Sequence, residues 1–242
     1  MSPHRLFVPP EQLAQGPRLK LSDEQARYLG GVLRLRPGAE LEVFDGGGRR
    51  FRAVLGAGAL EIGAAMAEDR SGADVVLVQA LAKGEKMDLV VQKATELGAT
   101  RIVPLAADRA VVRLEAGRSA ARAERWRRIA RESSRQCGRA DVPGIDALAG
   151  WPEVFSLLAA DPGRRPLLLD PQAKDLRLGA AARGVPRLLL AVGPEGGFSA
   201  AEKAEAVANG FVAAGLGSRV LRTETAGLAA LAVVLHVHGE LG

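Results

Sequence analysis

One stretch near the C-terminus decides the fold: Leu188-Leu189-Leu190-Ala191-Val192, followed by Gly193-Pro194-Glu195-Gly196-Gly197-Phe198. The apolar run predicts a buried strand of a parallel sheet. The glycines predict a loop at the end of that strand. Ser199 and Glu202 have the spacing of a capping box, so a helix is predicted to begin there and to end near Asn209-Gly210.

A second strand–loop–helix unit follows immediately. Phe211 to Leu216 predicts a strand, Gly217 to Arg222 a loop, and Glu224 to His238 an apolar helix. In open α/β sheets, ligands bind at the carboxyl ends of the strands, so the two glycine loops are predicted to share a site. On its own, Gly193 to Gly197 is equally explained as a simple turn between strand and helix.

The spacing of these glycines argues against two common phosphate-binding loops. Neither loop has the Gly-x-Gly-x-x-Gly pattern, and no Gly-Lys-Ser/Thr follows them. Glu195 would also repel a phosphate group. An uncharged or cationic ligand, such as an adenosyl group held by backbone amides, fits this loop better.

The rest of the chain predicts two domains. Short strands before residue 70, with Asp45-Gly46-Gly47-Gly48 as a hairpin turn, favour a small β-barrel over residues 1–70. A short helix begins at Ser22 and is predicted to turn three side chains inward, namely Leu29, Val32 and Leu33. We place the boundary at Glu68 to Gly72. Strands and helices alternate over residues 73–242, which predicts an α/β domain whose parallel sheet is covered on both faces.

Positive charge is concentrated in one segment. The chain carries a net charge of +5, yet the segment from Arg109 to Arg139 contains ten arginines and only three glutamates. A long helix is predicted from Ser119 to Gln136. Its arginines at 125, 128, 131 and 135 share one arc, while Ala123, Trp126, Ile129 and Ala130 face inward. Arginine suits phosphate forks, which favours RNA contact; a solvated charged face is the alternative.

Other classes of site and location have little support in the sequence. The histidines at 4, 236 and 238 have no metal-ligand spacing, so no metal is predicted. Cys137 is the only cysteine, and we expect it to be a buried, inert thiol in a reducing compartment. No signal peptide or membrane span is predicted, so a cytoplasmic location is expected.

The two glycine loops resemble the signature loops of the 16S rRNA uracil-N3 methyltransferases, a family of the SPOUT superfamily. The second matching loop reads Leu216-Gly217-Ser218-Arg219-Val220-Leu221-Arg222-Thr223-Glu224-Thr225-Ala226. The resemblance includes the run from Lys93 to Pro104, continues through Trp126, Glu132, Gln136 and Arg139, and reaches His4 to Val8. It therefore covers nearly the whole chain.

That resemblance implies an N-terminal PUA-like RNA-binding β-barrel and a C-terminal SPOUT domain with a trefoil knot. It implies S-adenosyl-L-methionine as cofactor, 16S rRNA of the 30S subunit as substrate, and a homodimer without metal. The product would be N3-methyluridine at one position during subunit maturation, uridine 1498 in standard bacterial numbering.

The resemblance also assigns residues to roles. The cofactor-binding residues are expected to be Leu169, Val192, Gly193, Pro194, Glu195, Gly196, Gly197, Leu216, Gly217, Ser218, Val220 and Leu221. RNA contacts are expected from Arg5, Arg34, Lys83, Lys86, Arg125, Arg128, Arg131 and Arg139. The alternative for Arg34 is a solvated basic surface, and for Lys83 and Lys86 a solvated loop.

N3 methylation requires removal of the N3 proton and stabilisation of the resulting anion over O2 and O4. Arg222 or Arg219 is the candidate for stabilising that anion, and Glu224 for a base or orienting role. The alternative for Glu224 is a carboxylate favoured at the start of a helix. Two other functions stay open: ribose 2′-O methylation, and a non-catalytic RNA-binding role in ribosome assembly.

Overall fold

The computed structural model describes residues 3–67, 72–83, 85–110 and 116–242, with side chains from residue 119 onward in the last range. The chain divides into two compact units. The first comprises Met1–Arg70 and Arg131–Val142, and the second Ser71–Ala130 and Pro143–Gly242. Most of the expected boundary, from Glu68 to Ser71, lies outside the described residues.

The first unit is built on a five-stranded sheet. Its strands are β1 (Arg5–Phe7), β2 (Arg18–Lys20), β3 (Glu40–Phe44), β4 (Arg50–Leu55) and β5 (Ala59–Ala65). The order across the sheet is β1-β3-β4-β5-β2; β1 runs parallel to β3 and the other pairs are antiparallel. Leucine and valine side chains fill its core, including Leu6, Leu19, Val43 and Leu60. Strand β2 escaped prediction because Leu19 is its only buried residue.

Two short α-helices, α1 (Pro10–Leu13) and α2 (Asp23–Ala26), join these strands. The predicted capping box is present, since Ser22 Oγ accepts from the backbone of Gln25 at 3.2 Å. After α2 the chain forms a π-helical turn over Arg27–Val32. Its wider turn changes which side chains share a face. Leu29 is buried as predicted, but Val32 is 70% exposed, so its predicted inward orientation is wrong.

The second unit contains a six-stranded sheet, and the sequence predicted its parallel arrangement. Its order is β11-β9-β10-β6-β7-β8, and every neighbouring pair is parallel. The strands are β6 (Asp74–Ala80), β7 (Arg101–Leu105), β8 (Gly144–Ile145), β9 (Arg165–Leu169), β10 (Arg187–Val192) and β11 (Val212–Ala214). The central strands β6 and β10 are buried almost throughout, which explains their continuous apolar runs.

Helices cover both faces of this sheet. They are α3 (Lys86–Glu96), α4 (Ala116–Cys137), α5 (Trp151–Ala159), α6 (Leu178–Ala182), α7 (Ala200–Ala208) and α8 (Thr223–Val237). On one face, Trp151 of α5 and Ala206 of α7 pack with Val78 and Leu189 of the strands. On the other, α8 contacts α3, α6, β6 and β10. The α/β class is therefore confirmed, whereas the trefoil knot stays a prediction.

Helix α4 has the predicted inward and outward faces up to Ala130, whereas Arg131 and Arg135 are only partly exposed. Ala123, Trp126 and Ala130 are buried, while Arg125 and Arg128 are exposed. Its last residue corrects a prediction. Cys137 is exposed rather than buried, because it lies at the C-terminal end of α4, beyond the buried pair Ser133 and Ser134.

No helix in the described part of the chain is long and apolar enough to cross a membrane. Within the same residues, no cluster of three His, Cys, Asp or Glu side chains has the arrangement of a metal site.

Candidate active site

A cleft of about 470 Å³ opens at the carboxyl ends of β9, β10 and β11, within the second unit. Most of its lining residues belong to the three segments that follow these strands, within residues 169–172, 192–198 and 214–223. The parallel strands bring these segments to the same edge of the sheet, as expected for a ligand site in an open α/β fold.

Nearly all the residues proposed as cofactor ligands line this cleft. They are Leu169, Val192, Gly193, Pro194, Glu195, Gly196, Gly197, Leu216, Gly217, Val220 and Leu221. Ser218 is exposed and is not among the lining residues. Val220 is 81% exposed, which is unusual for a valine and leaves an apolar surface free to meet a ligand.

Glycine is required at two turns of these loops. A Cβ on Gly193 would lie 3.1 Å from the backbone nitrogen of Phe198, because the first loop folds back tightly on itself. Gly217 has φ of +140°, a conformation that other residues rarely adopt. These glycines therefore shape the rim of the cleft.

The second loop offers backbone donors to the cleft. The N–H groups of residues 216–222 donate to no acceptor within the described part of the chain. Backbone N–H groups need a partner, which here is water or a ligand. The loop therefore carries backbone donors that no acceptor within the described part of the chain uses.

A buried hydrogen-bond chain holds the two loops together. The hydroxyl of Thr223 donates to the carbonyl oxygen of Gly193 at 2.6 Å, and Gln79 Nε2 donates to Thr223 Oγ1 at 2.9 Å. Gln79 is fully buried in β6. The first turn of α8 is thereby fixed to the first residue of the glycine loop.

Three charged side chains form a second link. Lys86 Nζ lies 3.3 Å from Glu195 Oε1 and 3.1 Å from Glu224 Oε2. Burial alone would raise the pKa of Glu195, but hydrogen bonds from its own backbone, from Lys83 N–H and from the Lys86 ammonium lower it. The Glu224 carboxylate, and then Glu195, raise the pKa of Lys86. Glu224 thus faces Lys86 and is not among the residues that line the cleft.

The two arginines of the second loop are placed differently from Glu224. Arg219 and Arg222 both line the cleft, and both are exposed. Neither side chain has a hydrogen-bond or ion-pair partner among the residues that the structure describes. Their guanidinium groups are therefore free to meet a substrate.

Sequence reasoning missed several residues of the cleft. Asp170 lies directly after β9 and pairs with Lys203 at 2.6 Å. Burial opposes ionisation of Asp170, but the Lys203 ammonium and the Gln172 N–H keep its pKa below the ordinary value. Arg109 also lines the cleft and donates to the carbonyl oxygen of Gly196 at 3.1 Å. The position of Asp170 after a third parallel strand was the signal that could have identified it.

The buried carboxylate of Glu202 is hydrogen-bonded to the segment that directly follows the first glycine loop and to two other segments. It accepts hydrogen bonds from the N–H groups of Asp108 at 3.0 Å, Trp151 at 3.1 Å and Ser199 at 2.7 Å. The capping box predicted from Ser199 and Glu202 is present. Glu202 therefore joins the start of α7, the segment after β7 and helix α5.

Comparison with known proteins identifies the family. The sequence profile of an RNA methyltransferase domain matches residues 69–235, and that of an RNA methyltransferase PUA domain matches residues 21–62. A Synechocystis protein named ribosomal RNA small subunit methyltransferase E is 34% identical over 238 residues, which is 96% of this chain and 77% of the relative. The chain belongs to the ribosomal RNA small subunit methyltransferase E family. It is an RNA methyltransferase.

Solved structures agree with this assignment. The small subunit methyltransferase E of Neisseria gonorrhoeae, bound to S-adenosyl methionine, superposes with a TM-score of 0.87 at 33% identity, over 98% of both chains. A Legionella pneumophila protein in complex with the same cofactor gives a TM-score of 0.86 at 31% identity, again over 98% of both chains. The PUA-like and SPOUT domains expected from the sequence are confirmed as the fold of this RNA methyltransferase.

The candidate RNA contacts of this methyltransferase differ in their surroundings. Arg34, Lys83 and Arg128 are exposed and have no ion-pair partner among the described residues. Arg125 is exposed but pairs with Asp88 at 2.5 Å. Lys86 is paired with Glu195 and Glu224.

The remaining three candidates lie in the first unit and make contacts there. Arg139 forms a two-point pair with Asp141 at 3.1 and 2.5 Å. Arg131 lies 6.0 Å from the centre of the Phe7 ring. Arg5 is only 7% exposed, and its guanidinium donates to Glu42 and to backbone carbonyls of Ser134 and Arg139. Because burial hides Arg5 from solvent, it organises this unit and we remove it from the proposed RNA contacts.

Proposed function

We propose that this methyltransferase transfers a methyl group from S-adenosyl-L-methionine to N3 of one uridine in 16S ribosomal RNA, uridine 1498 by resemblance, during 30S maturation in the cytoplasm. The observation that carries this proposal is the cleft itself. Two glycine loops supply apolar walls and unused backbone donors, and two unpaired arginines stand at the same rim.

The cleft suits the cofactor in size and chemistry. Its volume of about 470 Å³ lies within the roughly 300–1,000 Å³ range of small-molecule sites. Leu169, Leu216 and Val220 supply apolar surface for an adenosyl group, and the N–H groups of residues 216–222 supply donors for its polar edge. The cofactor, when bound, supplies an electrophilic methyl group on a sulfonium.

The residues of this chain then act on the acceptor. A uracil methylated at N3 must first lose its N3 proton, which passes to solvent water, and the negative charge spreads over O2 and O4. Arg222 and Arg219 stabilise that charge, because their unpaired guanidinium groups line the cleft. Glu224 is assigned an orienting role, since its carboxylate is engaged by Lys86 and does not line the cleft.

Basic residues are proposed to contact the RNA. In the first unit these are Arg34, Arg131 and Arg139, and in the second they are Lys83, Arg125 and Arg128. Arginine forks suit phosphate, and such contacts position the RNA without reading its sequence.

A homodimer is part of the proposal. One side of α8 is buried, but Leu228, Ala229, Ala232 and Val233 are partly exposed, and Leu89 of the adjacent α3 is 43% exposed. A second copy of this chain would cover this apolar surface. Sedimentation at micromolar concentration tests this point: a dimer supports it, and a persistent 25.3 kDa species contradicts it.

The placement of the cofactor is tested by Gly196→Val. A Cβ at Gly196 would meet Arg109 at an ordinary 3.5 Å, so the variant is expected to fold. The matched control is Gly163→Val, whose Cβ also meets an arginine at 3.5 Å but lies before β9, at the opposite edge of the sheet. We expect calorimetry to show at least about tenfold weaker cofactor binding for Gly196→Val only. Unchanged affinity in a folded Gly196→Val protein would place the cofactor elsewhere.

A further inference from the structure

Lys86 differs from the other basic residues near the cleft because its ammonium lies between two carboxylates of different segments. It is the first residue of α3, Glu195 belongs to the glycine loop after β10, and Glu224 lies in the first turn of α8. The distances from Lys86 Nζ are 3.3 Å to Glu195 Oε1 and 3.1 Å to Glu224 Oε2. One cation therefore joins three segments of the chain.

Lys86, Glu195 and Glu224 form a charged triad, and partial burial restricts the movement of its side chains. Glu224 is 13% exposed and Lys86 is 32% exposed, so the ammonium is set into the surface rather than extended into solvent. Glu224 Oε2 is buried, and the Lys86 ammonium is the charged group beside it. A partly buried pair is screened less by salt than an exposed one.

The triad completes a pair of links between the glycine loop and α8. Thr223 donates to Gly193 at the start of the loop, and two residues further on Lys86 connects Glu195 to Glu224. Arg222 directly precedes Thr223 and lines the cleft. The two links therefore fix the cofactor loop and the arginine-bearing loop relative to each other.

Lys83 provides a contrast within the same segment. Its backbone N–H donates to Glu195 at 3.3 Å, but its side chain is exposed and unpaired within the described residues. The two lysines carry the same charge, three positions apart, in different surroundings.

We propose that Lys86 is a positioning residue for the cofactor cleft and not an RNA contact. It holds Glu195 and Glu224 so that the glycine loop and the first turn of α8 keep the spacing the cofactor needs. This inference rests on the proposed function, since it takes the cleft between the loops as the cofactor site.

Removal of the ammonium would do more than delete two ion pairs. Two carboxylates that now share one cation would be left close together, and like charges at that distance repel. Glu195 and the first turn of α8 would then move apart. Removing one carboxylate as well should relieve this repulsion, as should restoring a cation with arginine.

The test uses four variants of the full chain: Lys86→Met, Lys86→Arg, Lys83→Met and the double variant Lys86→Met/Glu224→Gln, because Glu224 does not line the cleft. S-adenosylmethionine binding is measured by calorimetry without RNA, and RNA binding is measured as a function of salt. We expect Lys86→Met to weaken cofactor binding about three- to tenfold. Lys86→Arg and the double variant should recover most of that affinity, and none of the three should change the salt slope.

Lys83→Met should show the opposite pattern, with unchanged cofactor affinity and a salt slope reduced by about one unit. The inference is overturned if Lys86→Met binds the cofactor like the wild type, or if it flattens the salt slope as Lys83→Met does. A wild-type protein that binds no S-adenosylmethionine would instead refute the proposed function, so the two failures are distinguishable. Thermal unfolding of each variant shows whether the effect is confined to the site.

Discussion

The hydroxyl of Thr223 lies 2.6 Å from the carbonyl oxygen of Gly193 and donates a hydrogen bond to it. Thr223 in turn accepts from Gln79, whose side chain is fully buried in the central strand β6. The first residue of one glycine loop is thus hydrogen-bonded to the residue that ends the other, and Gln79 of the central strand β6 bonds to the same hydroxyl. Residues 30 positions apart in sequence form the two walls of one cleft.

We expect Thr223→Val to lower both the free energy of unfolding and the affinity for S-adenosylmethionine. Valine keeps the shape of threonine but leaves the Gly193 carbonyl and the Gln79 amide without this partner, at a cost of about 1–3 kcal/mol of unfolding free energy. Thr225→Val is the matched control, because Thr225 is exposed in the same helical turn. Urea unfolding measures the stability of both, and calorimetry their affinity for S-adenosylmethionine. Equal stabilities for the two variants would contradict the role of Thr223.

We expect Gly227→Ala to destabilise the second unit. A Cβ at Gly227 would lie 2.7 Å from Gln79 Oε1, which is itself buried, so either the Gln79 side chain gives up its bond to Thr223 or α8 shifts. Overpacking of this kind costs about 1–3 kcal/mol. Gly179→Ala in α6 is the control, since its Cβ would meet Val233 at an ordinary 3.6 Å. Thermal unfolding should show a lower Tm for Gly227→Ala alone. An unchanged Tm for this variant would contradict the predicted overpacking at Gly227.

The hairpin turn of the first unit should make its stability depend on pH. Asp45 accepts from the N–H groups of Gly47 and Arg49 and from Arg49 Nε, and these bonds, against the opposing effect of burial, hold its pKa below 3.8. Because the folded-state pKa is lower than the unfolded one, the stabilisation is present above pH 3.8 and is lost as the pH falls through the folded-state value.

Asp45→Asn tests this dependence against the wild type. We expect the variant to be less stable by about 1 kcal/mol at neutral pH, and the difference to shrink below pH 3.8. Glu40→Gln, at an exposed position of β3, should show no such convergence. Urea unfolding followed by circular dichroism at several pH values provides the measurement. A constant difference across the range would contradict the assigned charge interaction.

The basic face of α4 should contribute unequally to RNA binding. Arg128 is exposed and unpaired among the described residues, whereas Arg125 is already paired with Asp88. We expect Arg128→Gln to reduce the salt slope of RNA binding by about one unit for each phosphate that the side chain neutralises. Arg125→Gln should reduce it less, because Asp88 competes with phosphate for that guanidinium. Identical salt slopes of RNA binding for Arg128→Gln and the wild type would show that this face of α4 is a solvated surface and not an RNA contact.

The sequence predicted the elements around the cleft well because their signals are local. The apolar run of β10, the capping box at Ser199 and the glycines after each strand are recognisable within a few residues. The parallel arrangement of strands then brings the loops to one edge without further information. The family resemblance supplied the cofactor, the RNA and the roles of Arg219 and Arg222.

The sequence could not predict features that depend on distant partners. Arg5 was predicted to contact RNA, yet its side chain is buried and pairs with Glu42, which is 37 positions away in the sequence. Lys86 was predicted to contact RNA and Glu224 to act as a base or an orienting group, yet the two side chains face each other from α3 and α8. The inward prediction for Val32 failed because a π-helical turn replaced the expected α-helix. In each case the three-dimensional neighbours, and not the local pattern, decide what the side chain can do.

The most direct test of the proposed function is methyl transfer followed by nucleoside analysis. The purified protein would be incubated with labelled S-adenosylmethionine and with 16S rRNA or 30S particles from a strain that lacks this methyltransferase. Arg222→Ala, confirmed by calorimetry to bind the cofactor, would serve as the control. We expect the label in N3-methyluridine at a single site, and none with Arg222→Ala. Label in a 2′-O-methylated nucleoside, or no transfer by a wild-type protein that binds both cofactor and RNA, would contradict uracil-N3 methylation.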